Sequence, residues 1–242
     1  MIARFARWFG GGLLSLCFPP HCAVCEKSTE AGCHLCTSCA EKVVPIKEPR
    51  CERCSSPFHG AITELFVCAN CHDRELHFDC AISQYVSDGP VREFIHGFKY
   101  LRHTFLRQTL AGWLAETLDD SRMSSLPFDA LVPVPLHHVR KRERGFNQAE
   151  MLAQLIAPKA GKPVWNALKR VRNTPTQTRL DRSERMENLR GAFKVRKPQE
   201  VKGRHLVLVD DVFTTGSTVE ECSRVLRKAG AKSVRVITIA RA

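Results

Sequence analysis

The stretch Leu206–Thr218, reading LVLVDDVFTTGST, constrains this chain more than any other. Leu206 to Val209 is an unbroken apolar, β-branched run, the pattern of a strand buried on both faces of a parallel sheet. Two carboxylates, Asp210 and Asp211, stand where that strand ends, and Thr214, Thr215, Gly216, Ser217 and Thr218 follow. Such residues are poor helix formers. Their backbone N–H groups and hydroxyls can nevertheless close around an anion where a helix begins, and the helix dipole adds to the attraction. Gly216 lets the backbone approach closely. The helix is marked by Val219, Cys222, Val225, Leu226 and Ala229 on one face, with Gly230 to stop it. A phosphate cradle beside two acids suits a ligand that carries a phosphate together with vicinal hydroxyls or a divalent metal. A ribose 5-phosphate offers such groups. Walker and Rossmann nucleotide sites are unsupported, because neither glycine signature occurs.

On these residues, VLVDDVFTTGST resembles the phosphoribosyl pyrophosphate (PRPP) loop of type I phosphoribosyltransferases. The charge distribution agrees with an anionic ligand. Residues 1–80 carry 8 Lys/Arg and 9 Asp/Glu, whereas residues 137–204 carry 18 Lys/Arg and 6 Asp/Glu. The second window alone supplies the net +12 of the whole chain, so basicity is focused just upstream of the loop. Such focusing favours a polyanion: pyrophosphate, nucleic acid, or both.

Eleven of the 12 cysteines lie between residues 17 and 80, where four C-x-x-C knuckles stand out: Cys22/Cys25, Cys36/Cys39, Cys51/Cys54 and Cys68/Cys71. Two knuckles make one tetrahedral four-thiolate zinc site. Sequential pairing gives a double zinc ribbon holding two structural zinc ions, and a cross-braced pairing of first with third and second with fourth is the alternative. Cys33 and His34 are spare potential ligands, while Cys17, Cys80 and Cys222 read as small buried hydrophobes. Paired knuckles suggest metal in a reducing, cytoplasmic setting. The segment Met1–Leu16 reads as a short amphipathic stretch, with Ile2, Phe5, Trp8 and Phe9 packing on protein, and no stretch is long enough to span a bilayer. A metal-held module over 1–80 and a second domain over 81–242 are expected.

In that second domain Ala81–Val86 reads as a strand, followed by helices ending at Tyr100 and over Phe105–Leu118. Ser121–Leu126 reads as a polar loop, Phe128–Pro135 as a buried strand, and the basic run Leu136–Asn147 as a loop at its carboxyl end. A helix over Gln148–Ala157 and strands over Val164–Leu168, Ala192–Val195 and Val234–Ala240 complete the pattern. Alternating units of this size predict a doubly wound parallel α/β sheet. Arginines in loops at the carboxyl ends of parallel strands are placed to hold an anion. Residues 174–190 have the length of an active-site lid. His137 and His138 are candidate acid–base groups, weighed against the commoner reading of surface-loop histidines.

The order of these motifs is specific. Cysteine knuckles, FKY, PVPL, RGFNQ, L-x-R…T…Q…L…R…N…GAF and VDDVFTTGST together resemble the ComF/GntX family over nearly the whole chain. That resemblance implies a zinc ribbon followed by a type I phosphoribosyltransferase-like domain, and a role in natural competence or the use of external DNA. It implies PRPP as ligand, with Thr214–Thr218 on the 5-phosphate, Asp210 and Asp211 on the ribose hydroxyls, and Mg2+ on the pyrophosphate. Lys99, Arg140, Arg144 and Asn147 would face the leaving pyrophosphate, and Gln177, Arg179 and Arg182 would act from the lid. Asp210, Asp211, Lys99 and Arg144 would then be the catalytic set. The acceptor of the phosphoribosyl group is not indicated. Single-stranded DNA and a helicase-like protein are the further partners implied, with a non-catalytic DNA-binding or docking role as the alternative.

Overall fold

A computed structural model describes residues 20–58, 60, 65–124, 126–174 and 182–242. The expectations for Met1–Leu16, Cys17, Gln177 and Arg179, and for the side chain of Arg182, fall outside the described residues. No described helix is long and apolar enough to cross a membrane.

The chain opens with two knuckled segments. In each, a one-turn helix starts directly after a cysteine: α1, Thr37–Ala40, after Cys36, and α2, Ala69–His72, after Cys68. The turn closes through Cys39 N–H on Cys36 O at 3.0 Å and Cys71 N–H on Cys68 O at 2.8 Å. That geometry gathers the two thiols of each knuckle. The elements that follow are β1 (Ala81–Val86), α3 (Gly89–Tyr100), α4 (Arg107–Ala115), α5 (Ser121–Ser124) and β2 (Ala130–Pro133). Next come α6 (His138–Arg144), α7 (Gln148–Ala160), β3 (Leu168–Arg170), α8 (Arg182–Leu189), β4 (Phe193–Val195) and α9 (Pro198–Val201). The chain ends with β5 (His205–Val209), β6 (Val212–Phe213), α10 (Ser217–Lys228) and β7 (Ser233–Arg241).

Strands β1, β7, β5 and β2 lie side by side in that order, and β6 extends the sheet by pairing with the far end of β7. All these pairings are parallel, with Val207 opposite Leu131 and Arg235, and Ile237 opposite Ile82 and Val209. Side-chain alternation divides the core into two layers. Ile82, Leu131, Val207, Val209, Ile237 and Ile239 face Phe94 and Phe98 of α3, Leu110 and Leu114 of α4, and Leu152 and Ile156 of α7. Ala81, Ala130, Val132, Leu206, Leu208, Val234 and Val236 face Val219, Cys222 and Leu226 of α10, together with Leu168, Phe193 and the second cysteine cluster. Fully burying each large side chain contributes about 1.5–3 kcal/mol. The doubly wound parallel sheet is therefore present.

Several local expectations are corrected. Ser121–Leu126 is not all loop, because Met123 turns into the core and α5 forms around it. The basic run is mostly the helix α6, stopped by Gly145 at φ +88°. Val164 makes only a single bridge to Leu131, so the expected strand there reduces to β3. β3 and β4 form a separate antiparallel ribbon, each with an exposed lysine, Lys169 or Lys194, between more buried neighbours.

The cysteine-rich segments pack on the sheet directly. Residues 44–46 run along β1, with Ile46 N–H on Gln84 O at 2.8 Å and Val86 N–H on Val44 O at 2.9 Å. The half-buried Arg122 reaches across to Glu52 O at 3.1 Å and Ser55 Oγ at 3.0 Å while pairing with Asp120.

Candidate functional site

β5 ends at the carboxyl edge of the sheet, so Asp210 and Asp211 emerge where open α/β sheets bind ligands. The Asp210 amide donates to Ile237 O at 3.1 Å, and Asp210 Oδ1 accepts from the Asp211 amide at 2.9 Å. Lys99, in the last turn of α3, places Nζ 2.7 Å from Asp211 Oδ1. The other oxygen, Asp211 Oδ2, is buried without a hydrogen-bond partner among the described residues. A buried carboxylate with an unused acceptor is costly unless a ligand completes it. Burial first, and the adjacent Asp211 charge second, push the Asp210 carboxyl up to about 7, against the opposing pull of Lys99.

A cavity of about 640 Å³ opens at Lys99, the residue that reaches Asp211. Lys99, Arg140 and Arg144 line it, with Tyr100, Asn173 and Thr174. Arg144 is shaped from two sides, by its 2.5 Å bond from Nη1 to Gln148 Oε1 and by the Tyr100 ring centred 5.4 Å from its guanidinium. Asn147 is not in the lining. It is buried as the N-cap of α7, its Oδ1 accepting from Ala149 N–H at 3.2 Å and its Nδ2 donating to Val134 O at 3.1 Å. Its role is to fix α7 against the end of β2.

Two further residues neighbour the site electrostatically: Arg170, given no site role from sequence, and His137, weighed there as an acid–base group. Arg170, at the end of β3, hydrogen-bonds Thr174, lies 5.4 Å over the Phe193 ring and is close enough to Asp210 and Arg140 to feel both charges. Burial first, and Arg140 second, hold its guanidinium below the usual arginine value, and its buried Nε has no partner among the described residues. His137 is buried rather than in a surface loop, with Nδ1 likewise unpartnered there. Burial, then His138 and Arg170, keep its imidazole below the ordinary value. Arg170 stood inside the L-x-R motif, but its burial against β4 is a tertiary fact.

The Thr/Gly turn sits at the start of α10. Gly216 is the N-cap at φ +78° and has no side chain to cap the helix; the Ser217 amide meets Thr215 Oγ1 at 3.5 Å, and the Glu220 amide bonds Gly216 O at 2.8 Å. Ser217 is buried, Thr215 and Thr218 are half-buried, and Thr214 is exposed. Thr215 Oγ1 and Ser217 Oγ lie 2.9 Å apart. Thr214 and Thr215 line a second cavity of about 390 Å³, separate from the one lined by Lys99 and the arginines.

The knuckles pair sequentially: Cys22, Cys25, Cys36 and Cys39 form one set, and Cys51, Cys54, Cys68 and Cys71 the other. All sulfurs of a set lie within 4.8 Å of one another, with Cys25–Cys36 at 3.5 Å and Cys54–Cys68 at 3.7 Å. Four thiolates about 2.3 Å from one ion stand about 3.8 Å apart, so both sets fit zinc. The cross-braced alternative is excluded by this grouping, and Cys33 and His34 stay outside it. Cys80 and Cys222 are buried thiols in the apolar layers.

Fold and sites together define a phosphoribosyltransferase domain carried behind a double zinc ribbon. Residues 13–73 match the double zinc ribbon domain and residues 133–242 the phosphoribosyl transferase domain. Competence protein F of Haemophilus influenzae is 35% identical over 215 residues, spanning 86% of this chain and 90% of that protein. DNA utilization protein YhgH of Salmonella typhi is 35% identical over 211 residues, with the same shares of 86% and 90%. Competence protein ComFC of Bacillus subtilis is 27% identical over 216 residues, 86% of this chain and 84% of that protein. The chain belongs to this competence protein F and DNA utilization protein family.

Proposed function

We propose that this protein binds PRPP at the carboxyl edge of its sheet, within competence or the utilisation of extracellular DNA, and transfers the phosphoribosyl group to an acceptor. The observation that carries the reading is the half-satisfied Asp211, held on one oxygen by Lys99, which itself lines a cation-rich cavity, and buried without a partner on the other among the described residues. The amides of Thr214–Thr218 take the 5-phosphate at the α10 N-terminus. Asp210 and Asp211 accept from the ribose hydroxyls. Lys99, Arg140, Arg144 and Arg170 face the pyrophosphate and stabilise the negative charge that develops as it departs. Mg2+ bound to the pyrophosphate would add charge neutralisation, and the paired carboxylates supply the oxygen donors it prefers. The acceptor's nucleophile bonds to the anomeric carbon as the carbon–oxygen bond to pyrophosphate breaks. The paired thiolate sets fit a cytoplasmic setting, where thiols stay reduced.

Calorimetry of PRPP with Mg2+ tests the reading. Wild type is expected to bind, and Arg144→Ala to bind about ten- to a hundredfold more weakly, the worth of one charge-assisted hydrogen bond. Asp210→Asn/Asp211→Asn is expected to abolish measurable binding. Equal affinity in all three proteins contradicts the assignment.

A further inference from the structure

Phe213 links two parts of the molecule that the proposed function treats separately. It is the last residue of β6, directly before the Thr/Gly turn, and its side chain is buried. A Cβ placed on Gly216 would lie 2.5 Å from Cζ of the Phe213 ring, so the backbone of the turn rests on that ring. Arg241 lies over the ring at 5.0 Å and donates from Nη1 to Phe213 O at 3.2 Å and Thr214 O at 2.7 Å. The edge of the assembly meets Phe78, centroid to centroid at 6.0 Å and an interplanar angle of 84°. Phe78 and Phe213 share one apolar layer with Cys51, Cys54, Cys68 and Cys71. Cys54 and Cys71 line the 390 Å³ cavity that Phe78, Phe213, Thr214 and Thr215 also line. Among the described residues the first cysteine set has no such connection, and its neighbours Ala23, Val24 and Leu35 pack on the other layer.

We propose that the second four-cysteine site is the mount of the phosphate-binding turn, so that metal held there and a phosphorylated sugar held by the turn bind cooperatively through Phe78 and Phe213. This rests on the PRPP reading above. Phe213 is a positioning residue: it touches the turn's backbone and acts through it. When the four thiols are gathered, Phe78 holds the Phe213 ring under Gly216 and the left-handed turn keeps its shape. When they are released, that floor is free to move and the turn loses its support. Linkage requires the effect to be mutual, so whatever factor the metal contributes to sugar affinity, the sugar contributes to metal affinity.

The test uses the full chain loaded with zinc. Zinc is withdrawn by a colorimetric chelator in the presence and absence of PRPP, and released thiols are trapped by alkylation and located by peptide mass spectrometry. PRPP is expected to slow alkylation of Cys51, Cys54, Cys68 and Cys71 about tenfold, within the usual range of coupling, and to leave Cys22, Cys25, Cys36 and Cys39 unchanged. Phe213→Leu is expected to keep both metal sites and lose that selective protection, with weaker PRPP binding in calorimetry. If wild type binds PRPP but the second set is unprotected, or both sets are protected equally, the coupling is wrong and the PRPP reading survives. If zinc-loaded wild type fails to bind PRPP, both fall together. The wild-type arm decides even where the Phe213 variant does not fold.

Discussion

Asp210 carries the sharpest consequence at the scale of single residues. Its carboxyl is raised to about 7 by burial and by the Asp211 charge. A raised carboxyl favours the protonated folded protein, so its contribution to stability is present below the unfolded value of about 3.9 and is lost as pH rises through about 7. Ligand binding follows the opposite course, because the ionised carboxylate accepts on both oxygens, whereas protonation turns one of them into a donor and removes the charge. PRPP affinity is therefore expected to rise between pH 6 and pH 8, by up to about tenfold for one group titrating across this range. Calorimetry at both values checks it, and Asp210→Asn should flatten the profile. An affinity that falls over this range contradicts the assignment of Asp210. The acids, the Thr/Gly turn and the eight knuckle cysteines were legible because each is defined by neighbours in sequence. The site role of Arg170 and the burial of His137 were not, since both come from tertiary packing.

At the scale of elements, the join between the cysteine-rich segment and the sheet is braced by α5. Asp120, at the start of that helix, pairs with Arg50 at 2.8 Å and Arg122 at 3.0 Å, and its side chain is only 6% exposed. Burial opposes its charge, but the hydrogen bonds and charge of Arg122 overcome this and hold its carboxyl below the usual range. Asp120→Asn would remove the charge between two largely buried guanidinium groups, leaving Arg50 with Glu48 and Arg122 with Glu52 O and Ser55 Oγ, and is expected to destabilise the protein by about 1.5–3 kcal/mol. Urea denaturation measures this directly, and a loss under about 1 kcal/mol would show the pair to be no better than a surface bridge. Acidification should mimic the substitution, since the stabilisation exists above about pH 4 and fades as pH falls below that. Sheet strands were readable from continuous apolar runs. The helix α6 was not, because no residue on it is buried and a charged, faceless helix reads as loop. Of the antiparallel ribbon, β4 was readable in Ala192–Val195, whereas β3 lies further along than the expected Val164–Leu168 because Lys169 breaks the apolar run.

At the scale of the whole molecule, the second cysteine set is part of the layer that covers one face of the sheet, and residues 44–46 border its β1 edge. Sequence separated a metal-held front from an α/β body, but spacing cannot show that they share a core. The Thr/Gly turn thus stands between two structures: the acidic pair that Lys99 ties to the cation-rich cavity, and the layer of Phe78 and the second cysteine set beneath Phe213. The central claim is that the turn and the basic cavity hold two ends of one ligand. A crystal structure of the zinc-loaded chain with PRPP and Mg2+ measures this most directly. The account predicts the 5-phosphate on the amides of Thr214–Thr218, the ribose hydroxyls on Asp210 and Asp211, and the pyrophosphate among Lys99, Arg140 and Arg144. PRPP density elsewhere on the chain, with the turn and the acidic pair bare, would contradict it.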